Sequence, residues 1–190
     1  MAVYKLCKTE QSAQRQRQLE DGLLQVMSTV HYDEISVSDL CDRMNVPRKS
    51  FYRYFSGKDG ALQALIDHTL MRYEGRSSLF AGKSQLSVQK ELEVFFEFWI
   101  EQKPLLDALA RSGLSGVLIQ RAIDYALGEA GYRRNQPMAA LGELEYGIMF
   151  AISGLMTMTV QWHHCGYDVT VSQMATFAER VLTKPLFDRK

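Results

Sequence analysis

Between Arg43 and Lys58 the sequence carries five basic residues, Arg43, Arg48, Lys49, Arg53 and Lys58, and no acidic one, interleaved with Tyr52 and Tyr54. Cations at this density displace counterions from a polyphosphate, and an arginine fork donates two hydrogen bonds to a guanine edge. Tyrosine and serine hydroxyls reach phosphate oxygens. The chemistry to expect is recognition of double-stranded DNA, not bond making. The whole chain is neutral, with 22 basic and 22 acidic residues, so the positive charge is local to this segment. Arg48 and Lys49 are candidates for base-edge or phosphate contacts, with the choice between them open. Ser50, Tyr52, Arg53 and Tyr54 are expected beside them on an outer face, Ser36 and Ser38 at phosphates, and Lys58 on a phosphate of its own.

Such residues need a rigid frame, and the flanking sequence reads as one. Ser36 stands three residues before Asp39, a capping pattern that starts a short helix near Val37. Asn45 enters the left-handed conformation cheaply and Pro47 suits a first helical turn, which separates that helix from a second over about Pro47 to Tyr54. Ser56 and Asp59 repeat the capping spacing and open a third helix near Lys58, with Leu62, Leu65, Ile66 and Leu70 inward. Ile35, Leu40, Met44, Val46, Phe51 and Phe55 are placed to form a small core. The pattern is a helix-turn-helix, in which the second helix enters the major groove and the first crosses the backbone.

The rest of the 190 residues is also helical in pattern, with four prolines and apolar positions recurring at three and four. A first helix is expected from about Glu10 to Val30, with Leu19, Leu23, Val26, Met27 and Val30 buried, Arg15 and Arg17 pointing elsewhere, and a loose arm before it. Ser, Gly and Gln over Arg76–Ser87 suggest a loop and a boundary, giving domains 1–75 and 76–190. Val88, Leu92, Phe95, Phe96 and Trp99 share a helical face, Pro104 opens a shorter helix, and Gly113 separates it from another over Leu114–Ala130. A break at Gly131–Pro137 precedes a long helix, Met138–His164, of roughly 40 Å at about 1.5 Å per residue. From Tyr146 to Trp162 that helix has no ionisable group except the tyrosine, so it is expected to be buried on almost every side. Gly166 ends it, and Thr170 with Gln173 caps a last helix that buries Met174, Phe177, Val181 and Leu182.

The run from Ile35 to Lys58, above all Phe51–Tyr52–Arg53–Tyr54–Phe55 followed three residues later by Lys58, resembles the DNA-binding domain of the tetracycline-repressor-like (TetR) family. The resemblance is strong over about the first 70 residues and architectural beyond. Met44–Asn45 departs from the usual Ala–Gly, and Cys41 from the usual Ala; Asn45 keeps the turn feasible. The resemblance implies an all-α protein of about nine helices: an N-terminal three-helix DNA-binding domain and a C-terminal helical domain for ligand binding and dimerisation. It also implies a homodimer whose last two helices form a four-helix bundle, for which Tyr146, Met158, Trp162 and Phe177 are candidate seam residues. The unusually apolar long helix supports a partner surface independently. A pocket for an unknown small-molecule effector is implied among the remaining helices, with Phe95, Trp99, Leu106, Phe150 and Met156 as candidate lining; plain core packing is the competing reading for each.

The expected function is a DNA-binding transcriptional regulator, a repressor released by its ligand, with the alternative of an adaptor whose C-terminal bundle docks a protein. No paired carboxylates, nucleophile–base set or glycine-rich phosphate loop stands out, so no enzyme is expected. No cofactor is expected either. His163, His164 and Cys165 are consecutive and point about 100° apart on a helix, which argues against a shared metal ion. Three widely spaced cysteines fit neither a disulfide framework nor a zinc site, and are expected to be reduced and mostly buried. Neither a membrane span nor a signal peptide is indicated, so a cytoplasmic protein is expected.

Overall fold

The computed structural model describes residues 3–81, 87–134 and 142–184 and is all-α, with nine helices among the described residues. They are α1 (Glu10–Met27), α2 (Val37–Arg43), α3 (Arg48–Tyr52), α4 (Lys58–Ala81), α5 (Val88–Glu101), α6 (Lys103–Arg111), α7 (Ser115–Arg134), α8 (Glu143–His164) and α9 (Val171–Thr183), with a 3-10 turn at Tyr32–Glu34. No described helix is long and apolar enough to cross a membrane. The chain divides into two compact units, Met1–Thr69 with Asp107–Leu118, and Leu70–Leu106 with Ile119–Lys190.

In the first unit α1 buries Leu19, Leu23, Val26 and Met27, as their spacing predicts, and ends before Val30, which is half-buried. It also buries two polar side chains that periodicity does not flag. Glu20 lies within 2.9 Å of His68 Nδ1 on α4, so burial of the carboxylate is offset by a hydrogen-bonded partner. Gln16 accepts the Cys7 thiol through its Oε1 at 2.8 Å. At Gly22 a Cβ would lie 1.9 Å from the Met44 sulfur, so the absent side chain lets the flexible Met44 side chain pack against α1.

The segment before α1 is not a loose arm. The Lys5 amide donates to the Tyr54 carbonyl at 2.8 Å, the Val3 carbonyl accepts both the amide and the hydroxyl of Ser56, and Tyr4 bridges in antiparallel fashion to Phe55. The Tyr4 hydroxyl donates to Asp67 at 2.7 Å. Exposed carbonyl and amide groups after α3 recruit this segment, an attraction between backbone groups that side-chain patterns do not encode. The Ser56–Asp59 capping pattern is used differently as well, since Ser56 binds Val3 and Asp59 accepts the Tyr32 hydroxyl at 2.6 Å.

In the second unit α5 buries Leu92, Val94, Phe95, Phe96, Phe98 and Trp99, so it is enclosed on most of its circumference, whereas Val88 at its start is exposed. It packs chiefly against α9 and also against α8. The loop expected from Arg76 is helical through Ala81: Arg76 donates to Glu101 at 2.7 Å and lies 3.7 Å from Glu97, which holds α4 along α5 past Gly75. Likewise α7 runs through Gly131 to Arg134; the remainder of the expected break, and residues 138–141 of the expected long helix, lie outside the described residues. Gly166 and Tyr167 both take positive φ after α8, and the Tyr167 amide closes on the Trp162 carbonyl at 2.9 Å. Reciprocal bonds between Thr170 and Gln173 start α9, as their spacing predicts.

Candidate nucleic-acid interface

The helix-turn-helix begins with Ser36, whose hydroxyl accepts the Asp39 amide at 3.1 Å and donates to the Asp39 carboxylate. Asn45 takes φ 50°, the left-handed turn that its side chain tolerates, and the Val46 amide closes on the Cys41 carbonyl at 2.9 Å. Pro47 then caps α3. Ile35, Leu40, Phe51 and Phe55 form the buried support, with Phe51 and Phe55 ring centroids 5.1 Å apart, while Met44 and Val46 are half-buried. Cys41 belongs to this core, and burial raises its thiol above the ordinary range, with Asp42 adding and Arg48 opposing. The other two thiols are not core residues: Cys7 is half-buried and Cys165 exposed.

On that support Arg48, Lys49, Tyr52 and Arg53 are exposed and Ser50 half-exposed. No acidic residue lies between Arg43 and Lys58, so these side chains present a cationic surface on one short element. The helix stops at Tyr52, two residues before its expected end, because the chain turns at Arg53 so that Tyr54 and Phe55 both face inward. Tyr54 is therefore corrected from the outer face to the interior, at 7% exposure. At the start of α2, Ser36 is exposed but occupied as a cap, and Ser38 is half-buried.

Lys58 lies at the first residue of α4, and its ammonium is engaged by its own unit. Lys58 Nζ donates to the Tyr32 carbonyl at 2.9 Å and stands 4.5 Å from the Tyr32 ring centroid. Tyr32 is the residue that sequence patterns miss. It is buried, its hydroxyl donates to Asp59, and its amide donates to the Ser112 hydroxyl at 3.0 Å. Burial, then the Asp59 carboxylate, push the phenol far above its ordinary value, so it stays protonated. A single aromatic in a turn gave no periodic signal by which to find this network.

The candidate effector and seam residues fall into two sets in the second unit. Phe95, Trp99, Leu106 and Met156 are buried. Phe150 is not, at 62% exposure, and the seam candidate Tyr146 is similarly exposed, with Phe177 exposed and Met158 half-buried. Trp162 is core: its indole N–H donates to the Val169 carbonyl at 3.1 Å and its ring meets Phe96 and Tyr167 edge-on. Within one chain α8 buries only Met156, Thr159 and Trp162, so the expectation of burial on almost every side fails for the single chain. No group of His, Cys, Asp or Glu among the described residues is arranged to hold a metal ion.

Residues 21–65 match the profile of the family described as bacterial regulatory proteins, tetR family. Over 75 residues the chain is 29% identical to the HTH-type transcriptional regulator EthR of Mycolicibacterium smegmatis, a match covering 37% of this chain and 35% of that relative's length. The fold is similar to that of a TetR-family transcriptional regulator from Streptomyces coelicolor, at 19% identity and TM-score 0.63 over 93% of this chain and 99% of that one. It is similar also to the fatty acid degradation regulator FadR from Bacillus halodurans, at 15% identity and TM-score 0.62 over 97% and 100%. With a cationic second helix on an apolar helix-turn-helix support and an all-helical remainder, the chain carries over residues 21–65 a segment that matches the tetR family of bacterial regulatory proteins, within a fold similar to that of solved TetR-family regulators.

Proposed function

We propose that the chain is a sequence-specific DNA-binding regulator of transcription, acting as a homodimer released from its operator by a small molecule. The observation that carries the DNA reading is α3, whose exposed Arg48, Lys49, Tyr52 and Arg53 face outward from a support held by Phe51. In this reading the helix-turn-helix part of the chain reads DNA, Arg48 and Lys49 provide base or phosphate contacts, and Ser50, Tyr52 and Arg53 flank them. Lys58 acts by bracing the Tyr32 turn instead of holding a phosphate.

Dimerisation is supported by α8 and α9, which expose Leu144, Tyr146, Phe150, Phe177 and Leu182. Apolar side chains of this size on neighbouring elements are what a second copy would cover, and two copies suit half-sites about 34–36 Å apart. A ligand is favoured over a docked protein by Trp99. It is 1% exposed and its indole N–H has no hydrogen-bond acceptor among the described residues, a donor that an effector with a polar head and an apolar body would satisfy beside Phe95. The mechanism is a shift between DNA-competent and incompetent populations.

The test is selection of duplexes from a random library followed by affinity measurement across salt. The expected outcome is one enriched motif with two half-sites and a log–log salt slope of about −6 to −9 for the dimer. A slope near zero would remove the DNA reading.

A further inference from the structure

A polar groove of about 440 Å³ lies between the N-terminal half of α1 and the end of α3, lined on one side by Gln11, Gln14, Arg15 and Gln18 and on the other by Arg53 and Tyr54. At 3.6 residues per turn the four α1 residues share one face, opposite the buried Gln16, Leu19, Glu20 and Leu23. The lining holds two arginines and no carboxylate; its remaining groups are amides and hydroxyls. Arg15 Nη1 donates to Gln18 Oε1 at 3.0 Å, which sets the guanidinium along this face and leaves other N–H donors of its fork for an anion. Arg17, by contrast, is neutralised by Glu10 at 3.0 Å.

We propose that this groove seats the phosphodiester backbone beside the major groove that α3 enters, with Arg15 as its principal cation. The inference rests on the DNA reading above and adds a second helix to the interface. Its geometric basis is that the groove runs from the end of α3 to a carboxylate-free face of α1, so a strand flanking the major groove beside α3 lies next to both arginines. Arg53 stands at the end of α3 and shares the groove with the α1 face. A strand passing Arg53 meets Arg15 next. Glutamine amides beside two guanidiniums give hydrogen-bond donors to phosphate oxygens without reading bases.

The experiment uses the full chain and a duplex selected by the wild type. Arg15→Ala should flatten the salt slope by about 1.8 for a dimer, at 0.9 per phosphate lost from each protomer, and weaken binding about tenfold. Arg15→Lys should keep most of the slope, and the motif selected by Arg15→Ala should be unchanged. Because Arg15 is exposed, thermal stability should not move. An unchanged slope in Arg15→Ala overturns the proposal while leaving the DNA reading intact, and so does a changed motif, which would make Arg15 a base reader. Stabilisation of the wild type but not Arg15→Ala by millimolar inorganic phosphate, with equal DNA slopes, overturns it in favour of a free-anion site. A wild type that enriches no duplex overturns it together with the DNA reading.

Discussion

The segment around α3 and the segment around α8 both leave helices exposed, with opposite chemistry. On α3 and the turn that ends it the exposed groups are Arg48, Lys49, Tyr52 and Arg53, over a support in which Phe51 is fully buried. On α8 the exposed groups include Leu144, Tyr146 and Phe150, while inward contacts come from Met156, Thr159 and Trp162. The first surface is stable in water and becomes more so only beside a polyanion. The second is costly in water, at about 25 cal/mol per Å² of apolar area, a cost that the proposed second copy would relieve. Charge alone would have identified one proposed interface and concealed the other.

The sharpest way to break the comparison is to remove the support under α3. Phe51→Ala should cost about 3–5 kcal/mol, read as a lower midpoint in urea, and abolish DNA binding. If the midpoint held, α3 would not depend on that core. On the other side, Phe150→Glu should raise the dimer dissociation constant about tenfold or more in analytical ultracentrifugation, with little change in the thermal midpoint at concentrations where both variants are monomeric. An unchanged sedimentation profile would place the seam elsewhere. Arg48→Ala and Lys49→Ala should each leave the fold intact and weaken binding to the selected duplex about 10- to 100-fold, with at least one altering the enriched motif.

Smaller effects separate bracing from contact. Lys58→Ala should lower stability by about 1 kcal/mol, since its ammonium is half-buried on the Tyr32 carbonyl, and should leave the salt slope of DNA binding unaltered. A flatter slope would return Lys58 to the phosphates. Tyr32 supplies a pH test. Its folded pKa is raised, so above about pH 10 the unfolded phenol loses a proton that the folded one keeps, and stability falls as pH rises through that window. Tyr32→Phe should flatten the fall above about pH 10, read as urea midpoints of the variant and the wild type across that range.

The helix-turn-helix was legible because local rules agree there: Ser36 caps, Asn45 turns, Pro47 starts, and Phe51 and Phe55 alternate with exposed basic residues. The Thr170–Gln173 cap was legible for the same reason. What escaped depends on residues far apart in sequence. Tyr54 turned inward because the chain bends after Tyr52, and Trp162 became core because Phe96 and Tyr167 close around it. Helical periodicity set Arg15 off the buried stripe of α1 but could not set it beside Arg53, since that proximity exists only once α1 and α3 pack. Composition also misled at Arg76, where an ion pair with Glu101 continues a helix through residues that favour a loop.

The hydrogen bond from the Tyr32 amide to Ser112 has a consequence for synthesis. The unit that carries α3 includes Asp107–Leu118 as well as Met1–Thr69, so its last members emerge from the ribosome well after its first. At roughly 5–20 residues per second, α3 waits several seconds for the segment that completes its own folding unit. During that interval the turn at Tyr32 lacks its acceptor, and a nascent chain would present the basic segment on an unfinished frame. A fragment ending near residue 75 would remain in that condition indefinitely.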